Sequence, residues 1–145
     1  MAERLERQPN GKADKNDVDK MKFDWVRRRS ACSLAGVFKT LRLEVEEDVK
    51  ARNGLRPPTA PYEFSLADTD DGFNVILEAK QVRQSVNFKL AEHAIVVRNG
   101  KDEPMFEVIL AFSDDGDCIL RVNHEDRKSW QVRRMALEQL MFASY

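Results

Sequence analysis

Cysteine and histidine are the side chains best suited to act as nucleophiles or metal ligands, and this chain has two of each: Cys32, Cys118, His93 and His124. Cys118 with either histidine could form a nucleophilic dyad, because a neighbouring imidazole can take the thiol proton. Cys118, His124 and Asp126 could instead be imagined as zinc ligands. A closed zinc site needs four ligands with recognisable pairwise spacing, and the sequence shows no such spacing.

The alternation around Cys118 favours a structural role for this residue. Cys118 shares a strand face with Leu120 and Val122, which indicates a small core residue. Two cysteines do not make a disulfide framework either. No carboxylate can be assigned to a pocket, and no phosphate-binding glycine loop is present. We therefore predict no catalytic residue, no metal site and no cofactor.

A basic segment with interleaved aromatic side chains precedes the main body of the chain: Lys20, Lys22, Phe23, Trp25, Arg27, Arg28 and Arg29. Such a segment could contact RNA, DNA, a membrane surface or an acidic protein. The simpler interpretation is the solvated start of a helix with one hydrophobic anchor. Asp17 and Asp19 directly precede it, Asp24 lies within it, and all three weaken its field, which argues against a nucleic-acid role.

A second cluster, Trp130-Gln131-x-Arg133-Arg134, lies in the last predicted helix. Tryptophan and arginine are favoured at the centres of protein interfaces, and Arg133 could stack on the indole or pair with a carboxylate of the sheet. The alternative is a core tryptophan with arginines on the helix rim. The candidate residues of a partner surface are therefore Trp25, Arg27, Arg28, Arg29, Trp130, Arg133 and Arg134.

Length and charge restrict the class of protein. A chain of 145 residues is expected to form one domain, and its net charge of −1 provides no global attraction for nucleic acid or anionic lipid. Residues 1–29 hold nine Lys/Arg against six Asp/Glu. No signal-peptide pattern and no run long enough to span a membrane is present. The expected location is cytoplasmic.

The pattern of apolar residues predicts two helices around a sheet. Residues 1–20 carry too few apolar side chains to fold and are expected to be a disordered, charged tail, followed by a single domain at 21–145. Residues 21–52 are predicted to be helical, with Leu34, Phe38, Leu41, Val45 and Val49 on one face. Proline-rich 56–61 predicts an extended connector. Alternation predicts strands at 62–66, 73–79, 85–90, 94–98, 105–112 and 118–122.

The predicted fold is α+β: a six-stranded antiparallel meander, or strongly curled half-barrel, flanked by the first helix and a last helix at 126–142. A six-strand meander that ends in a tryptophan-bearing helix resembles the pleckstrin-homology architecture in topology, over residues 62–142. The predicted sheet lacks that architecture's seventh strand. The first hairpin turn, 68–72, is acidic where lipid-binding members carry basic residues, so the resemblance implies no function here.

Three functions remain open at this level. The first is a non-enzymatic protein-interaction domain that self-associates, as a homo-oligomer such as a homodimer, or binds another protein. The second is a small-ligand-binding domain, or an enzyme without a recognisable motif, whose pocket lies between the sheet and the last helix near Arg121, His124 or Arg133. The third is a nucleic-acid-binding regulator that uses residues 20–29.

Overall fold

The computed structural model describes residues 24–143, so the predicted disordered tail lies outside the described part of the chain. Helix α1 covers residues 24–31, and Ser33 then begins a second helix by accepting a hydrogen bond from the Gly36 amide at 3.1 Å. The prediction of one helix up to Arg52 was therefore wrong in its continuity, because Ser33 is an N-cap with extended backbone. The second helix also runs past Arg52 to Leu55.

The remaining elements form an antiparallel sheet and a closing helix. Their bounds are α2 Leu34–Leu55, β1 Tyr62–Thr69, β2 Gly72–Ala79, β3 Val82–Leu90, β4 Ile95–Asn99, β5 Pro104–Phe112, β6 Cys118–Val122, β7 Glu125–Arg127 and α3 Ser129–Phe142. The seven strands lie in sequence order in one open meander whose edges are β1 and β7. The predicted α+β architecture, an antiparallel meander flanked by an N-terminal and a C-terminal helix, is thus confirmed.

The seventh strand was missed because its residues were placed in the last helix. Asn123 and His124 have positive φ angles of 54° and 68°, the combination that a two-residue hairpin turn requires. This turn pairs Val122 with Glu125 and sends residues 125–127 back along β6. The last helix therefore begins at Ser129 rather than Asp126, and the meander has seven strands rather than the predicted six.

One face of the sheet is buried under both helices. Phe64, Phe73 and Phe88 are almost fully buried at its centre, and Phe73 stacks on Phe88 with ring centroids 4.7 Å apart. The predicted inner face of α2 is confirmed, because Leu41, Val45 and Val49 are buried and Leu34 and Phe38 pack against the same core. α3 covers the rest of the sheet with Val132, Ala136, Leu137, Leu140 and Met141. Alternation of inner and outer side chains along each strand produces this one-sided core.

Candidate functional site

The two long helices are joined side by side through Arg133. Its Nε lies 2.7 Å from Asp48 Oδ2, and one terminal nitrogen lies 3.1 Å from Glu44 Oε1. The same nitrogen donates to Ser129 Oγ at 3.0 Å, and that hydroxyl donates to Glu44. Arg133 therefore pairs with carboxylates of α2, not of the sheet. It links the helices, and only 19% of its side chain is exposed.

A groove opens to solvent beside this link. The groove between α2 and α3, called the helix groove below, has a volume of about 270 Å³. Its wall on α2 includes Ala51 and Leu55, and its wall on α3 includes Trp130, Leu137 and Phe142. Leu55, Trp130 and Phe142 are 73%, 51% and 61% exposed. The helix groove is thus apolar and open, a shape that suits a side chain of another molecule better than a solvated small solute.

Trp130 is a surface residue, so its interpretation as a core tryptophan was wrong. Trp130 is the second residue of α3, in the first turn of the helix. The buried residues of α3 are Val132, Ala136, Leu137, Leu140 and Met141. Trp130 precedes Leu137 by two turns but is 51% exposed. The Trp130 side chain is therefore at the surface, as a partner-binding residue would be.

Arg134 lies on the outer wall of the helix groove and forms an ion pair with Glu138 on the next turn of α3. The hydrogen bond with Glu138 raises the pKa of the Arg134 guanidinium above its ordinary value. Both side chains are more than half exposed, so the pair contributes little to stability. It does place one positive and one negative charge side by side at the mouth of the groove.

Arg52 forms the floor of the helix groove and was not predicted as a functional residue. It is 8% exposed, and its Nε donates to the Met141 carbonyl oxygen at 2.8 Å. Its guanidinium lies 5.1 Å from the centroids of both the Phe64 and the Phe142 rings. The signal was present in the sequence, since Arg52 follows Val45 and Val49 at steps of seven and three and so shares their buried face.

The first predicted cluster lies on α1 and contacts a different part of the sheet. Trp25 is 55% exposed, and Arg27, Arg28 and Arg29 are exposed as well. Arg28 donates to the Gly116 carbonyl oxygen at 3.4 Å in the β5–β6 turn, and the Arg29 guanidinium lies 5.9 Å from the Phe112 ring. Lys20, Lys22 and Phe23 lie outside the described residues. The structure therefore attaches the two predicted clusters to different elements.

The two cysteines form a disulfide bond, which corrects the interpretation of Cys118 as a core residue. The bond joins Cys32, after α1, to Cys118 at the start of β6, with a sequence separation of 86. Cys32 is buried and Cys118 is exposed. A disulfide sulfur is not a nucleophile with a proton to transfer, and His93 and His124 are both exposed. The Cys118–histidine dyad is therefore absent from the described part of the chain.

A larger hollow lies beside the disulfide. This disulfide hollow has a volume of about 720 Å³ and is bounded by the start of α2, by β6 and β7, and by the start of α3; its lining includes Val37, Glu44, Cys118, Arg127 and Ser129. The pocket residues expected from the sequence do not line it. Arg121 instead pairs with Asp126 at 2.8 Å, His124 lies in the β6–β7 turn, and Arg133 joins the helices.

Within 24–143, no group of three or more His, Cys, Asp or Glu side chains could hold a metal ion. None of the helices described for this chain is long and apolar enough to cross a bilayer.

Comparisons of the chain with protein-family models, with curated proteins and with solved structures find no match.

Proposed function

We propose that this protein is a non-enzymatic interaction domain that forms a homodimer through the helix groove. The observation that supports this most is the exposure of three large apolar side chains, Leu55, Trp130 and Phe142, around one concave surface. Aromatic side chains beside an arginine, ringed by charged residues, have the composition of a protein interface centre. The groove, with a volume of about 270 Å³, has room for one large side chain such as an indole.

Charge favours a second copy of this chain as the partner. Arg134 and Glu138 present opposite charges next to each other at the mouth of the groove. A two-fold dimer brings the same patch of both protomers together, so each Arg134 can face the partner's Glu138. A strongly acidic or basic partner would instead meet one charge of its own sign. The net charge of −1 also gives two copies little mutual repulsion.

The test is a Trp130→Glu variant, which places a charge at the centre of the proposed interface. Its matched control is Val82→Glu, because Val82 is 46% exposed and lies at the start of β3, outside the helix groove. Multi-angle light scattering should give a dimer for the wild type and for the control, and a mass near 16.7 kDa for Trp130→Glu. Equal masses for the two variants would remove the helix groove from the interface.

A second candidate function is the binding of a small ligand in the disulfide hollow. The volume of about 720 Å³ is in the range of small-molecule sites, and Arg127 Nε is buried without a hydrogen-bond partner at its edge. Lys128 and Ser129, at the start of α3, would add polar groups. A thermal-shift screen against small anions and neutral metabolites tests this. A compound that shifts the wild type and an Arg127→Ala variant equally would bind elsewhere, and no shift with any compound would contradict a ligand site in this hollow.

Nucleic-acid binding through residues 20–29 stays a prediction. Arg28 and Arg29 contact the β5–β6 turn and the Phe112 ring, which reduces the number of freely presented cations in the described part of the segment. A salt-dependent affinity for RNA or DNA that falls when Arg27, Arg28 and Arg29 become Ala would support this function. An affinity that does not change with these substitutions would exclude it.

The cytoplasmic location expected from the sequence also stays a prediction, and the Cys32–Cys118 bond weighs against it. Disulfides persist mainly in oxidising compartments and are uncommon in the cytosol, where those that form are usually transient. Alkylation of free thiols during rapid cell lysis, followed by mass analysis, measures the bonded fraction. A fully reduced pair would favour the cytosol, and a fully bonded pair would favour an oxidising compartment.

A further inference from the structure

The disulfide joins two cysteines whose accessibility differs. Cys32 is only 5% exposed, whereas Cys118, at the first position of β6, is exposed. Thiol–disulfide exchange begins when a thiolate reaches one of the two sulfurs, so access decides which sulfur is attacked. The exposed residue, Cys118, is therefore the point at which an external thiol can enter the bond.

Little else holds the described part of α1 to the rest of the protein. Trp25 and Val26 are 55% and 57% exposed, so these large apolar residues do not pack into the core. The polar and cation–π contacts of residues 24–31 with the sheet are the 3.4 Å hydrogen bond from Arg28 to Gly116 and the Arg29–Phe112 contact at 5.9 Å, and Cys32 Sγ next to them lies 3.8 Å from the Ala111 carbonyl oxygen. Exposed arginines contribute weakly through such contacts. The disulfide is thus the main constraint that keeps α1 against the β5–β6 turn.

We propose that Cys118 is a thiol–disulfide exchange site and that exchange there releases α1 while the rest of the domain stays folded. A thiolate of a dithiol reductant attacks Cys118 Sγ, the bond between the two cysteines breaks, and Cys32 leaves as a thiolate that takes a proton from solvent. The second thiol of the reductant, as its thiolate, then attacks the mixed disulfide. Cys118 leaves and is protonated, the reductant ends as a disulfide, and two electrons have passed to the cystine.

The rest of the domain can stay folded after this release because the N-terminus of α2 is capped independently of α1. Ser33 Oγ accepts the Gly36 amide at 3.1 Å, so α2 is capped without any group of α1. The buried face of α2, with Leu41, Val45 and Val49, packs on the sheet and does not depend on the disulfide. Ala31 and Cys118 both line the disulfide hollow, so the release of α1 also removes part of the wall of that hollow.

Limited trypsin digestion of the full chain tests the release. One sample keeps its disulfide. The other is reduced with dithiothreitol, blocked with iodoacetamide and freed of both reagents before digestion. We expect cleavage after Arg27, Arg28 and Arg29 to become about tenfold faster or more in the reduced sample, because proteolysis requires local unfolding. Cleavage after Lys80 and Arg83, in the β2–β3 hairpin, should rise by a much smaller factor, which reflects only the lower overall stability of the reduced protein.

Three outcomes decide the proposal. Equal rates after Arg27–Arg29 in both samples would overturn it, and so would a parallel increase after Lys80 and Arg83, since that shows loss of the whole fold. A Cys32→Ser variant should be cleaved as fast as the reduced wild type with or without reductant. If this variant does not fold, the comparison of the two wild-type samples still decides.

The site of attack is tested separately with glutathione as the probe. The full chain is exposed briefly to glutathione and quenched with iodoacetamide. After digestion, the masses of the peptides that contain Cys32 and Cys118 are measured by mass spectrometry. Glutathione on Cys118 with the alkyl group on Cys32 is the expected result. Glutathione on Cys32 would overturn the assignment of Cys118 as the entry point.

Discussion

The side-chain amide of Asn53 pairs with the backbone of Phe64 in the way that a neighbouring strand would. Asn53 Nδ2 donates to the Phe64 carbonyl oxygen at 2.8 Å, and the Phe64 amide donates to Asn53 Oδ1 at 2.9 Å. Phe64 lies in β1, an edge strand. Unpaired edge strands attract further strands, and Asn53 occupies this edge near the start of β1. The opposite edge, β7, is only three residues long. Both edges of the sheet are thus poorly suited to pairing with a further strand, which is consistent with the proposal that a partner binds between the helices.

Asn53→Ala should lower the free energy of unfolding by about 1–3 kcal/mol, because it leaves two partly buried backbone groups of Phe64 without partners. Urea denaturation measures the change. Lys50→Ala is the matched control, since Lys50 lies on the same helix and is exposed. Equal midpoints for the two variants would show that water replaces the Asn53 amide at no cost.

Arg133→Ala should destabilise the protein by about 1 kcal/mol or more, because Glu44 and Asp48 then face each other one turn apart on α2 without a cation. Their partial exposure limits the effect through solvent screening. Arg134→Ala is the control, and its exposed pair with Glu138 should change stability by no more than about 0.5 kcal/mol. A double-mutant cycle with Asp48→Ala isolates the pairwise energy. Zero coupling in that cycle would contradict the role of Arg133 as the link between the helices.

Removal of the disulfide should cost up to about 4–5 kcal/mol, because the bond restricts a long loop of the unfolded chain. The loop spans 86 residues of sequence separation. Chemical denaturation of the Cys32→Ser/Cys118→Ser variant should therefore give the same curve with and without reductant, whereas the wild type should lose stability when reduced. If the wild type is equally stable in the oxidised and reduced forms, the disulfide does not lower the conformational entropy of the unfolded chain enough to affect stability.

The two glycines Gly72 and Gly54 should respond in opposite ways to substitution by alanine. A Cβ at Gly72 would lie 1.8 Å from the Phe88 carbonyl oxygen, a backbone atom that cannot move aside. At Gly54, in the last turn of α2, nothing lies within 4 Å. We expect Gly72→Ala to destabilise by more than about 2 kcal/mol and Gly54→Ala to stabilise by roughly 0.5–1 kcal/mol. Thermal unfolding compares them, and a stable Gly72→Ala variant would contradict the close packing of β2 on β3.

The one-sided core could be predicted because it depends on local periodicity. Phe73, Val75 and Leu77 alternate with other residues along β2, and α2 repeats its apolar residues at steps of three and four. The spacing within each element therefore predicts which of its faces is buried. The sequence predicts the break between α1 and α2 less clearly. Its only local signal is Ser33, because serine is a common N-cap but caps a helix only where the backbone is extended. β7 was not predicted because the hairpin turn before it contains no glycine, the usual signal of a tight turn. Asn123 and His124 adopt the positive φ angles instead.

The candidate sites depend on contacts between distant parts of the chain, which periodicity does not report. Cys32 and Cys118 meet across 86 residues, and nothing near either residue signals the other. Trp130 was placed one turn inside a longer helix, whereas the structure starts α3 at Ser129 and leaves the indole at the surface. Arg133 could be predicted to pair, but its partners on α2 follow only from the packing of the two helices.

The solution mass of the wild-type chain over a dilution series tests the central claim most directly. Light scattering should give a mass near twice 16.7 kDa at high concentration and a fall towards 16.7 kDa on dilution, as expected for reversible two-fold association. A mass of one chain at every concentration would contradict the proposal that the helix groove holds a second copy of this protein.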